Sequence, residues 1–429
     1  MKKILIGLLL FCFHLTMQAQ DYLITFAATG DTDKVAAVRV DNLTSGSGVI
    51  LAGDDTLHLV EAVGIPAGDP GDDRIRLYPN PALKESVLTF TAPETGRTTI
   101  RILDLTGKTI LLYHDWLPAG TWSFMIKGIR QGIYVVNVSG SMYAYHAKLI
   151  SCCAVPQGPG ITPLSSAGGS TPGHQKKTSA TVDMPYHDGD QLLFRGTSGN
   201  YSNVVPDVPA SGKTILFNFT ACTDVGNNHY PTVQIGSQTW MAGNLNVGIR
   251  IDGDQDQTDN GIIEKYCYLD DDLACAQHGG LYQWNELMQY STVPGVQGIC
   301  PAGWHVPTDA EWCTLTQYLD PAVNCSAVGW SGLNAGGKLK ETGTLEAGTG
   351  SWHQPNTGAT NESGFTGLAS GDLSENGTFS YQGYYGYWWS SSEAGTLNAW
   401  SRSPDFSAAS IVRGGNKKIC GFSVRCIHD

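Results

Sequence analysis

The stretch GWHVPTDAEW (residues 303–312) places one histidine, two carboxylates and two tryptophans within ten positions. A histidine beside carboxylates can move protons or begin a metal site. His305, however, has no second histidine at ligand spacing, and no H-E-x-x-H, C-x-x-C or G-x-S-x-G occurs in the chain. Thr308 and Glu311 instead fit the S/T-x-x-E capping box, in which threonine accepts from the amide three residues on and glutamate reaches back. Pro307 ends the strand before it. Trp312, Leu315 and Leu319 then recur on one apolar face. The spacing predicts a helix over Asp309–Leu319 with Thr308 and Glu311 as its structural cap, and leaves His305 to packing or a surface hydrogen bond.

A second candidate is the acidic run DGDQDQTDNGIIE (residues 252–264). Asp256, Thr258, Asn260 and Gly261 echo positions 1, 3, 5 and 6 of a calcium loop, with Asp252 and Asp254 just ahead. Position 12, normally a bidentate glutamate, is Cys267. The run reads as a solvated acidic turn, with calcium as the metal it would take. GLNAGGKL (residues 332–339) is one residue from a phosphate loop, but Leu339 replaces the required Ser/Thr and no strand-then-helix context is expected. Aromatic residues are the remaining signal. FSYQGYYGYWW (residues 379–389) offers Phe379, Tyr381, Tyr384, Tyr385, Trp388 and Trp389 in a Gly-containing stretch, a composition that suits ligand-facing loops, although Trp388 and Trp389 read better as scaffold packing and the tyrosines could equally form a corner packed on the domain.

The elements that must position these groups are mainly strands. Fifty-two glycines in 429 residues and only 15% charged side chains suit a loop-rich exported protein. The start has the parts of a signal peptide over 1–20: Lys2 and Lys3, the apolar Ile4–Phe13, and the short end Ala19-Gln20. Cys12 follows Phe11 inside the apolar stretch, which argues against a lipoprotein. No later stretch is long and apolar enough for a spanning helix. The formal charge of −13, or −15 without Lys2 and Lys3, argues against nucleic acid or anionic membrane as partner. The expected location is extracellular or on the outer cell surface, with the periplasm as the remaining alternative.

Alternating runs predict a β-strand region over 21–73 and a β-sandwich over 74–150. A Gly/Pro/Ser linker follows over 151–180. A small β-unit over 181–223 comes next; whether it completes the first region stays open. From 224 the texture changes to dense tryptophans and clustered cysteines, with helix expected only near Trp284–Tyr290 and at Asp309–Leu319.

Two resemblances emerge from these motifs. LYPNP, RILDLTGK and GIYVVNVSG, within 74–150, resemble the C-terminal sorting domain of the type IX secretion system of Bacteroidetes. Because most of the chain follows this segment, the resemblance is carried over for the sandwich and not for the sorting role. VQIGSQTWMAGNL, YQWNELM, ICPAGWHVPTDAEWCTL, GGKLKETG, GFTGL, GYWWSSS and GFSVRC, within 224–429, resemble the Fibrobacter succinogenes major paralogous domain. That family is similar in pattern to the C-type-lectin-like fold, including its sulfatase-modifying-factor branch. The resemblance implies an α+β domain with long loops; it implies no reaction. The fold class expected is therefore multi-domain, a β-sandwich N-terminal region plus an α+β C-type-lectin-like C-terminal domain.

Ten cysteines remain without Cys12, an even number that favours disulfides in an exported chain. Cys267 and Cys275 flank an acidic turn, and Cys313 and Cys325 flank the helix end, so either pair can close locally. Cys300 and Cys426 lie in two of the family-like motifs and would tie the domain's middle to its last strand. Cys222 and Cys420 are left as a fourth pair, with Cys152 and Cys153 unassigned. The function expected is non-enzymatic binding or adhesion, recognising a glycan or protein through long loops. The alternatives are an enzyme of the sulfatase-modifying branch, which would want free thiols at Cys420 and Cys426, or a self-assembling surface protein.

Overall fold

The computed structural model describes residues 21–61, 75–82, 84–93, 96–104, 108–140, 143–152, 159–167 and 179–429. The expected signal peptide, the stretch 62–74 and most of the expected linker lie outside these residues.

The first strands are β1 (Tyr22–Gly30), β2 (Ala37–Asn42), β3 (Gly48–Ala52) and β4 (Thr56–Glu61). Their partners come much later: β13 (Thr181–Tyr186), β14 (Leu192–Ser198), β15 (Tyr201–Asp207) and β16 (Lys213–Phe219). β1 runs parallel to β16, with Ile24 opposite Lys213, and antiparallel to β4. β13 lies parallel to β4, and β14 antiparallel to β2. Alternation turns Ile24, Val38, Val40, Leu57, Leu59, Phe194 and Phe217 into one core. Segments 21–61 and 179–219 therefore form a single unit, the question that pattern alone left open.

Between them lies the second sandwich. β5 (Ile75–Tyr78), β6 (Glu85–Ala92), β9 (Gly120–Lys127) and β12 (Gly160–Ala167) form one sheet. β7 (Gly96–Asp104), β8 (Thr109–Leu117), β10 (Gly132–Ser139) and β11 (Ala144–Ser151) form the other. Leu88, Phe90, Ile100, Phe124 and Val136 fill the space between, Phe90 stacked on Phe124 at 5.8 Å. Each such side chain contributes roughly 1.5–3 kcal/mol by leaving water. β12 falls within the expected linker yet pairs with β9 over Gly160–Ala167, so the sandwich extends past residue 150.

The C-terminal domain is joined to the first unit through a sheet. β17 (Thr232–Ile235) runs parallel to β15, and β18 (Gln238–Met241) turns back on it through Gly236 at φ +60°. β19 (Ile249–Arg250) and β20 (Glu264–Lys265) pair at the base of the acidic loop. β21 (Trp304–His305), β22 (Gly329–Ser331), β23 (Asp372–Leu373) and β24 (Phe379–Ser380) are short. β25 (Trp388–Gly395), β26 (Asn398–Ser403) and β27 (Ile411–Lys417) form a meander with β22 on its edge. The final β28 (Ile427–His428) lies between β18 and β21.

The helices differ from expectation in number. α1 (Asp272–His278), α2 (Trp284–Leu287), α3 (Asp309–Leu319) and α4 (Ala335–Leu339) are present. α3 matches the expected span. α2 stops early because Gln289 and Tyr290 take positive φ. α1 is too short for its periodicity to show; Asp271 caps it by accepting from the Leu273 amide. α4 contains glycines that pattern reading treats as breakers. A Cβ on Gly336 or Gly337 would sit 2.1 Å from the carbonyl oxygen of Ser410 or Gly358, so close backbone approach requires them. β22 followed by α4 also supplies the strand-then-helix context thought absent. Lys338 is nevertheless engaged with the Leu319 carbonyl and Glu362, and Leu339 is buried, so the stretch is not a phosphate cradle.

Candidate functional site

The opening stretch is consumed by its own fold. Thr308 Oγ1 accepts from the Glu311 amide at 3.2 Å, and Glu311 Oε2 accepts from the Thr308 amide at 2.7 Å. The other Glu311 oxygen lies 2.9 Å from His305 Nε2, while His305 Nδ1 lies 2.6 Å from Asp429. Hydrogen bonding to Glu311, opposed by burial and aided by Asp429, holds the His305 pKa above its ordinary value. Burial would raise the Glu311 carboxyl, but its bonds to His305 and Thr308 outweigh that and hold it low. Asp309 is clamped by Arg402 and Arg413 at 2.7 Å each, and Arg413 stacks 3.4 Å over Trp400. His305, Asp309 and Glu311 are thus each bound to other groups of the same domain.

The family-like motifs meet at Arg425. Its Nε donates to Asn244 at 2.7 Å, Nη1 to the Met241 and Phe365 carbonyls, and Nη2 to Thr366 at 2.9 Å. Its guanidinium lies 4.2 Å over the Phe365 ring. Trp388 donates to the same Asn244 oxygen at 2.9 Å, and Trp389 to the Tyr282 carbonyl at 2.9 Å. Both tryptophans are fully buried. Of the six aromatic candidates, Trp388 and Trp389 are therefore frame and cannot face a ligand: a large ring with a single donor is best satisfied inside the core.

The other four divide. Phe379 is partly buried against Tyr268 at 5.4 Å and covers Gly253. Tyr385 is bonded to Asp405 and packs edge-on to Tyr381 at 5.4 Å. Tyr381 and Tyr384 are 54% and 42% exposed. Tyr384 rests on His353 at 4.4 Å and Phe406 at 5.1 Å, so its ring is held although it faces out. A continuous row of rings, Tyr381, Tyr385, Tyr387, Phe422 and Trp389, leads from this surface into the core at spacings of 5.4, 5.6, 4.7 and 4.3 Å. Asp372, whose charge raises the Tyr387 pKa, is a residue that sequence reasoning missed. It is 8% exposed, its Oδ1 has no hydrogen-bond partner, and burial pushes its carboxyl up to about 7.

The acidic loop is organised from an unexpected position. Glu264 accepts from the Thr258 amide at 2.9 Å and from Asn260 Nδ2 at 2.8 Å. Asp256 accepts from Gln283 at 3.0 Å, Asp252 lies 3.4 Å from Arg250, and Asp254 is exposed. Asp252, Asp254, Asp256, Thr258 and Asn260 are thus not brought to one point. Among the described residues, no group of three or more His, Cys, Asp or Glu side chains is placed to hold a metal ion.

Three disulfides form as expected: Cys267–Cys275, Cys300–Cys426 and Cys313–Cys325. The fourth pair does not. Cys222 and Cys420 are free thiols, Cys222 buried beside Tyr230 and Trp304 and Cys420 at the rim of the same core. Burial drives the Cys222 thiol far above its ordinary value and, with Asp372 and Glu375 nearby, pushes Cys420 up to about 11. Cys426 being bridged, Cys420 and Cys426 are not a pair of thiols. Cys152 is a free, exposed thiol, and Cys153 lies outside the described residues.

These features define a multi-domain, β-rich protein ending in a disulfide-braced domain built around buried tryptophans and Arg425. Residues 233–428 match the family model of the Fibrobacter succinogenes major domain, and residues 76–151 match that of the secretion system C-terminal sorting domain. Both resemblances read from the motifs are thereby shown, and the second bears on the sorting role that the sequence reading set aside. A sorting domain supports export through type IX secretion to the cell surface or the extracellular space. No curated protein and no solved structure matches the chain. Among the described residues no helix is long and apolar enough to cross a membrane.

Proposed function

We propose that this is an exported, non-enzymatic recognition protein whose C-type-lectin-like C-terminal domain binds a glycan or protein ligand through the tyrosine face at Tyr381 and Tyr384. The observation that carries the reading is the contrast in fixation. Every other large aromatic of the 379–389 stretch is packed or bonded inward, whereas these two present flat amphipathic rings on a braced base. Rigid, exposed tyrosines supply contact area at low entropic cost. The paired thiols that a sulfatase-modifying chemistry would want are not formed, which supports binding over catalysis.

The test is a glycan and protein array probed with chain 21–429 and with a Tyr381→Ala/Tyr384→Ala double variant, with and without EDTA. Selective binding lost in the double variant supports the reading. Loss on EDTA would show that binding needs a divalent cation. Binding that survives the double variant moves recognition elsewhere on the domain, and no binding at all favours a self-assembling surface role.

A further inference from the structure

The outer face of the second sandwich carries a polar set that its own fold leaves unengaged. β7 and β8 pair with Arg97 opposite Trp116, Thr99 opposite His114 and Arg101 opposite Leu112. The alternate residues Thr98, Ile100, Leu111 and Leu117 are buried in the sandwich, so the pleat turns these pairs outward. Helix α1 of the C-terminal domain lies against this face and closes one side of an open cleft. β7 and β8 give the cleft Arg97, Thr99, Leu112 and His114; α1 gives it Leu273, Ala276 and Gln277. Its volume of about 40 Å³ has room for about three waters, or for one carboxylate.

Several cations of this acidic chain are held by carboxylates: Arg402 and Arg413 by Asp309, Lys213 by Asp207 and Lys418 by Glu393. Arg97 and Arg101 are not. Among the described residues neither guanidinium has an ion pair or a hydrogen bond, and the side chains of Thr99, His114 and Gln277 have no hydrogen bond either. The acids that open α1 are turned to other tasks, Asp272 lying 3.1 Å from Arg250 and Asp271 capping the helix. The cleft thus gathers donors and positive charge with no acceptor of its own.

A free guanidinium favours a flat anion that takes two parallel hydrogen bonds, which a carboxylate does. Thr99, His114 and Gln277 add donors and acceptors of the kind that hydroxyl groups use. Beside Arg97 stands Trp116, 68% exposed, its Cβ about 5 Å away across the strands. The negative face of an indole attracts the weakly positive C–H edge of a saturated ring. The net charge of −13 disfavours an extended polyanion, so the guest is a single acid group on a neutral body.

We propose that the cleft between β7–β8 and α1 is a binding site for a sugar acid, with Arg97 and His114 holding the carboxylate and Trp116 taking the ring. The site is separate from the tyrosine face and stands without that reading. Because its walls come from the sandwich and from the C-terminal domain, the bound sugar touches both.

The test is calorimetric titration of chain 21–429 with methyl β-D-glucuronoside, with methyl β-D-glucoside as the uncharged control and acetate as the control without a ring. The expected result is saturable binding of the glucuronoside, about tenfold or more tighter than either control. Arg97→Gln should weaken it about tenfold or more, and Trp116→Ala and Gln277→Ala several-fold each. All three positions are exposed, so these variants keep the fold. The Tyr381→Ala/Tyr384→Ala variant should bind as wild type. No saturable binding, equal affinity for the glucoside, or unchanged affinity in Arg97→Gln overturns the site. Acetate binding as tightly as the glucuronoside overturns its assignment to a sugar. Loss of glucuronoside binding in the double tyrosine variant instead moves the sugar to the tyrosine face and overturns the cleft.

Discussion

Asn244 and Arg425 are 181 residues apart in the chain, yet the Asn244 side-chain oxygen accepts from Arg425 Nε at 2.7 Å and from Trp388 Nε1 at 2.9 Å. One amide oxygen thus joins the GNL, YWW and SVRC motifs, while Arg425 itself ties in Phe365 and Thr366. Arg425 is wholly buried and serves the frame, not a ligand.

Replacing Arg425 by alanine should therefore destabilise the C-terminal domain by about 4 kcal/mol or more, because it strands several buried acceptors together. Urea unfolding followed by tryptophan fluorescence measures this directly. Lys417→Ala, an exposed position, should leave the same transition essentially unmoved.

His305 makes a pH-dependent contribution. Its pKa is raised in the fold by Glu311 and Asp429, so the stabilisation is fully present below the unfolded value near 6.5 and is lost as pH rises through the folded value. The melting temperature of His305→Gln should fall furthest below wild type near pH 5.5, and the gap should shrink by pH 8.5. A gap that widens with pH would contradict the assigned ion pairs.

Asp372 has the opposite dependence from a paired carboxylate. Its raised pKa means that the folded state holds the proton more tightly than the unfolded state, so stability falls as pH rises from about 4 to about 7. Asp372→Asn should remove this slope and melt at a higher temperature than wild type at pH 8. Thermal scans across that range check it.

The disulfides should differ in weight. Cys300–Cys426 closes 126 residues and Cys267–Cys275 only 8. Loop-closure entropy gives about 5 kcal/mol for the first and about 2.5 kcal/mol for the second. Paired Cys→Ser substitutions, compared by denaturant midpoint, should rank them in that order.

What was legible in the sequence was local or motif-borne. Thr308 and Glu311 are three residues apart, so their cap could be read from spacing alone, and Cys313–Cys325 closes around the end of the same helix. The Cys300–Cys426 bridge came only with the family-like motifs. What escaped depends on partners far away. The pairing of β1 with β16 joins residues 189 apart in sequence, and no alternating pattern specifies which strand lies beside which. Trp388 and Trp389, whose motif already favours scaffold packing, stay ligand candidates until the fold shows their burial, because composition does not reveal it. Asp372 gave no signal, since a lone aspartate between glycine and leucine is ordinary until the fold removes its water. Cys222 and Cys420 were paired by elimination, an arithmetic that ignores where the fold leaves each sulfur.

The sorting-like sandwich leaves the first unit after β4 and the chain returns at β13, its parallel neighbour. A tag at a chain end can be trimmed by one cut. Here two cuts would be needed, and they would leave the rest of the protein as two polypeptides. Residues 21–61 would then be held to the larger piece without a covalent link, by the ladders β1–β16, β4–β13 and β2–β14, the core beneath them and side-chain bonds such as Asn42 to Asp190. Processing of this chain would thus convert a one-chain protein into a non-covalent heterodimer, recognisable as two bands on a denaturing gel from one peak in size exclusion.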